Sequence, residues 1–141
     1  MQKVMVFGVF DGLHEGHHHF FREAKRHGDY LVAVVPPDHI VHELKGELPH
    51  YHIGDRMERL RHMGLADEVV PGDDELSTWH VVRRHERSVV ALGYDQAALF
   101  ADLEAMLGSL NFDARIEVLP AHKPQEFHNR MFKKKAKTRR K

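Results

Sequence analysis

Gly8-Val9-Phe10-Asp11-Gly12-Leu13-His14-Glu15-Gly16-His17 is the stretch whose surroundings decide the fold. On its N-terminal side, Lys3–Val9 is apolar and β-branched and is closed by Phe10-Asp11-Gly12, which predicts a buried strand. On its C-terminal side, residues 16–27 have helical spacing. Phe20, Ala24 and His27 fall on one face, Phe21 borders it, and Gly28 is placed to stop the helix. Tyr30–Val35 is a second buried strand, ended by Pro36-Pro37. A strand, a helix and a strand in that order imply parallel pairing through a right-handed crossover.

The same alternation continues outward. Asp55–Met63 predicts a helix with Met57, Leu60 and Met63 inward and Gly64 at its end. Ala66–Val70 predicts a short strand ended by Pro71-Gly72, and Leu76–His85 a helix with Leu76, Trp79, Val81 and Val82 as its apolar positions. Ser88–Leu92 predicts a strand ended by Gly93. Gln96–Leu110 predicts a helix through Leu99, Leu103, Met106, Leu107 and Leu110, and Arg115–Leu119 a last strand. Between the second strand and the next helix, residues 39–54 read as a partly helical excursion over the sheet's edge. The expected fold is α/β: a Rossmann-like, doubly wound parallel sheet of about five strands in a single domain.

Composition agrees with one domain. The 141 residues are 42% hydrophobic, and no cysteine is present, so disulfides and thiolate metal sites are excluded. Lack of cysteine fits a reducing cytoplasm, the expected location. The first apolar run, Val4 to Phe10, is too short for a secretory leader, and no run approaches the roughly 20 residues of a membrane span. The formal charge of zero hides an asymmetry. Eight of the 21 basic residues lie between Arg130 and Lys141 with no acid among them, leaving 13 basic against 21 acidic, a formal −8, on residues 1–129. The expected division is therefore a folded domain over 1–129 and a basic tail over 130–141.

In an open parallel sheet, ligands bind beyond the carboxyl ends of the strands. The loop after the first strand lies there. The next helix starts near Glu15–His17 and aims its free N–H groups and positive dipole end at the same place, which suits a phosphate. Gly8 and Gly12 permit close backbone approach. His14 and His17, three residues apart, fall on one side of the first turn, where two imidazoles can bind phosphate oxygens and stabilise charge during group transfer.

The stretch resembles the nucleotidyltransferase superfamily with the H-x-G-H motif, and within it the cytidylyltransferase-like group. The pattern G-x-F-D-x-x-H-x-G-H is matched at Gly8, Phe10, Asp11, His14, Gly16 and His17. Residues 34–38 and Leu44-Lys45-Gly46 look like the family's second-strand exit and substrate lysine, and Arg56 matches the arginine opening the next helix. Ala91-Leu92-Gly93-Tyr94-Asp95-Gln96 resembles the L-G-x-D-Q segment of archaeal-type FAD synthases. Glycerol-3-phosphate cytidylyltransferases usually carry a different version. Residues 119–129 resemble the FAD-synthase-like C-terminal segment, with His122 where a tyrosine is common.

The resemblance implies in-line transfer of a nucleoside monophosphate from a triphosphate to a phosphorylated acceptor, with release of pyrophosphate. It implies catalytic roles for His14 and His17. Gly8, Val9, Phe10, Asp11, Glu15 and Gly16 would bind the nucleotide from the first loop, and Gly93, Asp95, His122 and Arg130 from later segments. Asp38, Lys45 and Arg56 would serve the acceptor, with Lys45 or Arg56 on its phosphate or on pyrophosphate. A divalent cation, Mg²⁺ or another, would be held mainly by phosphates. Two positions depart from the pattern. Val9 stands where threonine is common, and Asn129-Arg130 where a serine or threonine grips the outer phosphates. Arg130 is read as compensating.

Other features read more plainly. His17-His18-His19 are about 100° apart on a helix and do not form one metal site. His39, His42, His50 and His52 read as solvated or substrate-facing, with a zinc site as the alternative. Trp79 reads as packing, with acceptor contact the alternative. The tail reads as a solvated chain end and not as a nucleic-acid site. The leading expectation is an FAD-synthase-like enzyme using ATP and FMN. Alternatives are a cytidylyltransferase using CTP and glycerol 3-phosphate, and a nucleotide-binding protein without turnover. The resemblance also implies a homodimer.

Overall fold

The computed structural model describes residues 1–120. Its elements run β1 (Lys3–Phe7), α1 (Glu15–Lys25), β2 (Tyr30–Val35), α2 (Asp38–Lys45), α3 (Ile53–Met63), β3 (Glu68–Pro71), α4 (His80–Arg83), β4 (Val89–Gly93), α5 (Ala97–Leu110) and β5 (Arg115–Leu119). The five strands form one sheet in the order β3-β2-β1-β4-β5, and every neighbouring pair is parallel. This is the doubly wound α/β fold expected from the alternation. The chain winds outward from β1 to β3, then crosses back to β4, so the switch point lies between β1 and β4.

Strands covered on both faces need nearly continuous apolar residues, and β1 after Lys3, β2 and β4 supply them. Period-two alternation divides their side chains between two cores. Val4 and Val6 of β1 join Phe21 and Ala24 of α1 and Leu60 of α3 on one face. Met5 joins Val82 of α4 and Leu103 of α5 on the other.

Three local expectations are corrected. In α1 the buried residues are Phe21 and Ala24, whereas Phe20 is only partly covered, so the helix is rotated from the expected face. In α3, Leu60 is buried and Met57 and Met63 pack against the same core as expected, but the fully buried Arg56 joins them, which the pattern did not predict. The helix expected over Leu76–His85 is a single turn, His80–Arg83. Asp73 unwinds its first half. Its carboxylate accepts from the Thr78 hydroxyl and from the backbone N–H groups of His80 and Val81, with bonds of 2.5–3.1 Å. That capping starts the helix late and leaves Ser77 and Trp79 at φ of 67° and 52°. Leu76, expected inward, is exposed.

Candidate active site

The α1 N-terminus is closed by two histidines acting on each other's backbone. His14 is the N-cap, and its Nδ1 accepts the Gly16 N–H at 3.0 Å. His17 reaches back, and its Nδ1 accepts the His14 N–H at 3.2 Å. This is a capping box with imidazoles in place of the usual hydroxyl and carboxylate. The rings lie 4.0 Å apart between centroids. A neutral imidazole whose Nδ1 accepts carries its proton on Nε2, so each ring keeps one donor for something other than the cap. His17 is held neutral: burial, reinforced by nearby His14 and His18 and opposed by Asp95, lowers its pKa to about 4. Gly16 is required by this arrangement, because a Cβ there would lie 2.8 Å from the His14 ring.

The loop before the helix is equally constrained. Phe10 adopts φ of 52°, and its buried ring packs on Phe21 and against the edge of His17. The same ring folds back over Gly8, where a Cβ would meet Cζ at 2.5 Å. Around Gly12 there is open space, so the protein's own packing does not demand a glycine there. Asp11 accepts from the backbone N–H groups of His50 and Tyr51 at 2.7 and 2.9 Å, which ties the loop after α2 to the histidine loop. Burial pushes the Asp11 carboxyl up, but these donors and the His50 ring outweigh it and hold it below the ordinary aspartate value.

Arg56 is completely buried. Its guanidinium donates to the carbonyls of Tyr51 (2.9 Å), Val9 (3.1 Å) and Pro36 (2.9 Å), and to Asp38 Oδ1 (2.6 Å). It therefore joins the exits of β1 and β2 to the starts of α2 and α3. Four of its five N–H donors are engaged within the protein and it does not line the cleft, so the structure shows Arg56 tying segments together, while its expected contact with an acceptor phosphate or pyrophosphate is a matter for experiment. Asp38 shares that role, with Oδ2 also 3.2 Å from His52 Nδ1. Burial raises its carboxyl, but the bonds and charges of Arg56 and His52 outweigh that, so the net direction is down.

A cleft of about 1000 Å³ opens above the carboxyl ends of the central strands. It brings together Gly8, Val9, Phe10, Asp11, Gly16 and both motif histidines with Lys45 from α2 and Gly93 and Asp95 from the β4 exit. Glu15 is exposed on the first turn of α1 and, like Asp38 and Arg56, does not line the cleft. His122, Arg130 and the basic tail lie outside the described residues. The sequence reading missed Gln96 and Asp102. Gln96 closes the switch point: Oε1 accepts the Gly93 N–H at 2.7 Å and Nε2 donates to the Phe7 carbonyl at 2.8 Å. This amide spans β1 and β4 just beyond their last ladder pair, Val6 with Ala91. Asp102 of α5 accepts the Trp79 indole N–H at 2.8 Å inside the cleft. Asp102 sits one residue before Leu103 on an apolar helix, a placement that signals a partner for a buried donor.

Among the described residues, no group of three His, Asp or Glu side chains is placed to hold a metal ion. The histidine-rich stretch 39–54 makes separate contacts instead: His39 with the Asp74 carbonyl, His50 with Asp11, and His52 with Asp38. No helix among the described residues is long and apolar enough to cross a membrane.

A model of the family described as cytidylyltransferase-like matches residues 5–135. The FAD synthase of Thermococcus sibiricus is 36% identical over 118 residues, covering 84% of this chain and 80% of its own. That of Thermoplasma acidophilum is 35% identical over 118 residues, covering 82% and 80%. Among solved structures, the lipopolysaccharide core biosynthesis protein from Thermoplasma volcanium GSS1 matches with a TM-score of 0.74 and 30% identity, over 87% of this chain and 99% of that one. Pantoate-beta-alanine ligase from Francisella tularensis shares the fold, with a TM-score of 0.60 at 10% identity, over 86% and 60%. The chain belongs to the cytidylyltransferase-like family. Within it, the chain is a nucleotidyltransferase of the FAD-synthase-like kind.

Proposed function

We propose that this enzyme adenylylates FMN, using ATP and releasing pyrophosphate. A phosphate oxygen of FMN attacks the α-phosphorus of ATP. The new P–O–P bond forms as the bond from the α-phosphorus to the β-bridging oxygen breaks, and that oxygen leaves with the electron pair on pyrophosphate. No bond to the protein is needed, so catalysis consists of positioning and charge stabilisation.

The observation that carries this reading is the histidine capping box. Two imidazoles whose Nδ1 atoms accept backbone N–H groups, and whose Nε2 atoms are left for a ligand, stand at the positive end of α1 on the cleft wall. His14 and His17 would donate to the oxygens that gain charge as pyrophosphate departs. Backbone groups of residues 8–10 would approach the phosphates, and Asp95 the nucleoside. Lys45 would attract the acceptor's phosphate. Mg²⁺ would enter with the nucleotide, held mainly by phosphate oxygens and water, and would supply neutralising charge. Arg130 and His122 are proposed to complete the phosphate and nucleotide grip, and the enzyme is proposed to be a homodimer. The curated relatives named FAD synthases support the choice of ATP and FMN.

The test is pyrophosphate release across ATP and CTP, each paired with FMN and with glycerol 3-phosphate. FAD should form from ATP and FMN, and His14→Ala or His17→Ala should lower kcat by about 100- to 1000-fold. Turnover with CTP and glycerol 3-phosphate alone would overturn the proposal. So would ATP binding without turnover of any pair.

A further inference from the structure

One end of the cleft carries two exposed leucines that folding alone does not require, beside Asp73 and Glu75 of the segment before α4. Leu44 on α2 and Leu76 in the turn before α4 both line it, and they are 52% and 43% exposed. Leu76 stands there because Asp73 caps α4 late and turns the chain through two left-handed residues, Ser77 and Trp79. A helix continued back to Leu76 would have carried that leucine inward. Holding two non-glycine residues at positive φ costs free energy, and such strain collects at functional sites. The strained turn also fixes Trp79, whose indole is held edge-on to Phe7 with centroids 5.4 Å apart and is bonded to Asp102. Beside Leu44, Lys45 brings a cation to the same end. At the β4 exit the cleft is lined by Gly93, Asp95 and Gln96 together with Tyr94, and the start of α5 adds Ala98 and Leu99.

We infer that Leu44 and Leu76, backed by the largely buried Trp79, form a platform for the flat ring system of the flavin acceptor, and that they set the acceptor's chemical class. The inference rests on the FMN reading above and adds the surface that selects it. A small polyol phosphate would leave both leucines wetted, whereas a tricyclic ring covers them while its phosphate chain reaches Lys45 and the histidines. Exposed apolar side chains gathered inside a cleft mark the part of a site that binds by area, and the few polar groups around them fix orientation. The β4 exit is left for the adenosine.

The inference is tested by binding, apart from turnover. Lumiflavin, the ring alone, and FMN are titrated into the protein without ATP, following flavin fluorescence and the emission of Trp79, the chain's single tryptophan. Both ligands should bind with quenching. Leu44→Ser and Leu76→Ser should each weaken both Kd values by about tenfold, from lost apolar contact. The ATP Kd should stay within twofold, and Leu110→Ser, an exposed leucine outside the cleft, should change nothing. Lumiflavin failing to bind, flavin affinities unmoved by both substitutions, or a loss that falls on ATP instead would each overturn the platform. Wild-type enzyme that binds lumiflavin through these leucines yet makes no FAD would keep the platform and remove the proposed reaction.

Discussion

Replacing Arg56 with leucine removes four donors from a site that excludes water. The Val9, Pro36 and Tyr51 carbonyls and the Asp38 carboxylate lose their partner together. Removing one member of a buried ion pair costs about 3–5 kcal/mol, because the other charge is stranded. Here Asp38 keeps 30% side-chain exposure. Water therefore takes over part of its solvation, and the loss settles at about 3 kcal/mol. For a chain of this size that lowers Tm by about 10 °C. Total stabilities of about 5–15 kcal/mol leave the variant folded at room temperature. Arg56→Lys keeps the charge but not the planar fork. One ammonium cannot reach acceptors on four segments, so it should lose about 2 kcal/mol. Asp38→Asn in the Arg56→Leu background should recover about 1 kcal/mol, by removing the stranded charge. The assay is urea unfolding followed by circular dichroism. A loss below about 1 kcal/mol in Arg56→Leu, with a large rise in acceptor KM, would refute the cross-link and return Arg56 to direct contact with substrate.

Two further outcomes are expected. Gly8→Ala drives a Cβ into the Phe10 ring, and that ring is wedged between Phe21 and His17, so overpacking should cost about 1–3 kcal/mol. Phe10→Leu should absorb part of that penalty, and an equal loss in both backgrounds by urea titration rejects the contact. The folded state holds His17 neutral down to about pH 4, whereas the unfolded chain protonates it near the ordinary 6.5. The unfolded state thus binds more protons between those values, so stability is full above pH 6.5 and falls as the pH drops toward 4. His17→Asn should flatten that slope, and identical slopes of urea midpoint between pH 7 and 5 in both proteins would remove burial of His17 as its source.

The sheet was legible because its strands are short, β-branched and closed by Gly, Pro or Asp, and because five parallel strands need helices between them. The motif was legible for a related reason: glycines and histidines at fixed spacing, placed between a strand and a helix, have few structural uses. What escaped the sequence came from partners distant along the chain. Phe20 and Phe21 are adjacent aromatics, and it is Phe21 that packs on the distant ring of Phe10 and enters the core. Arg56 reads from its motif as a cation for the acceptor, and nothing in its spacing shows that four acceptors from separate segments converge on it. Leu76 fits a helical period, but Asp73, three residues earlier, has the stronger local claim on the backbone. Gln96 sits in a motif segment, yet nothing in its spacing shows that it reaches back to Phe7.

That glutamine has a consequence for how the cleft can change. Where β1 and β4 part to admit a ligand, the backbone ladder ends, and one primary amide stands in for the missing rung by donating to one strand and accepting from the other. The separation of the two strands is thus governed by a single exchangeable side chain. Glutamate at this position would place a second acceptor against the Phe7 carbonyl and spread the strands. A shorter asparagine would draw them together or leave the rung unmade. Cleft width at this point would therefore follow from one side chain, while the ladder up to Val6 and Ala91 keeps its own bonds.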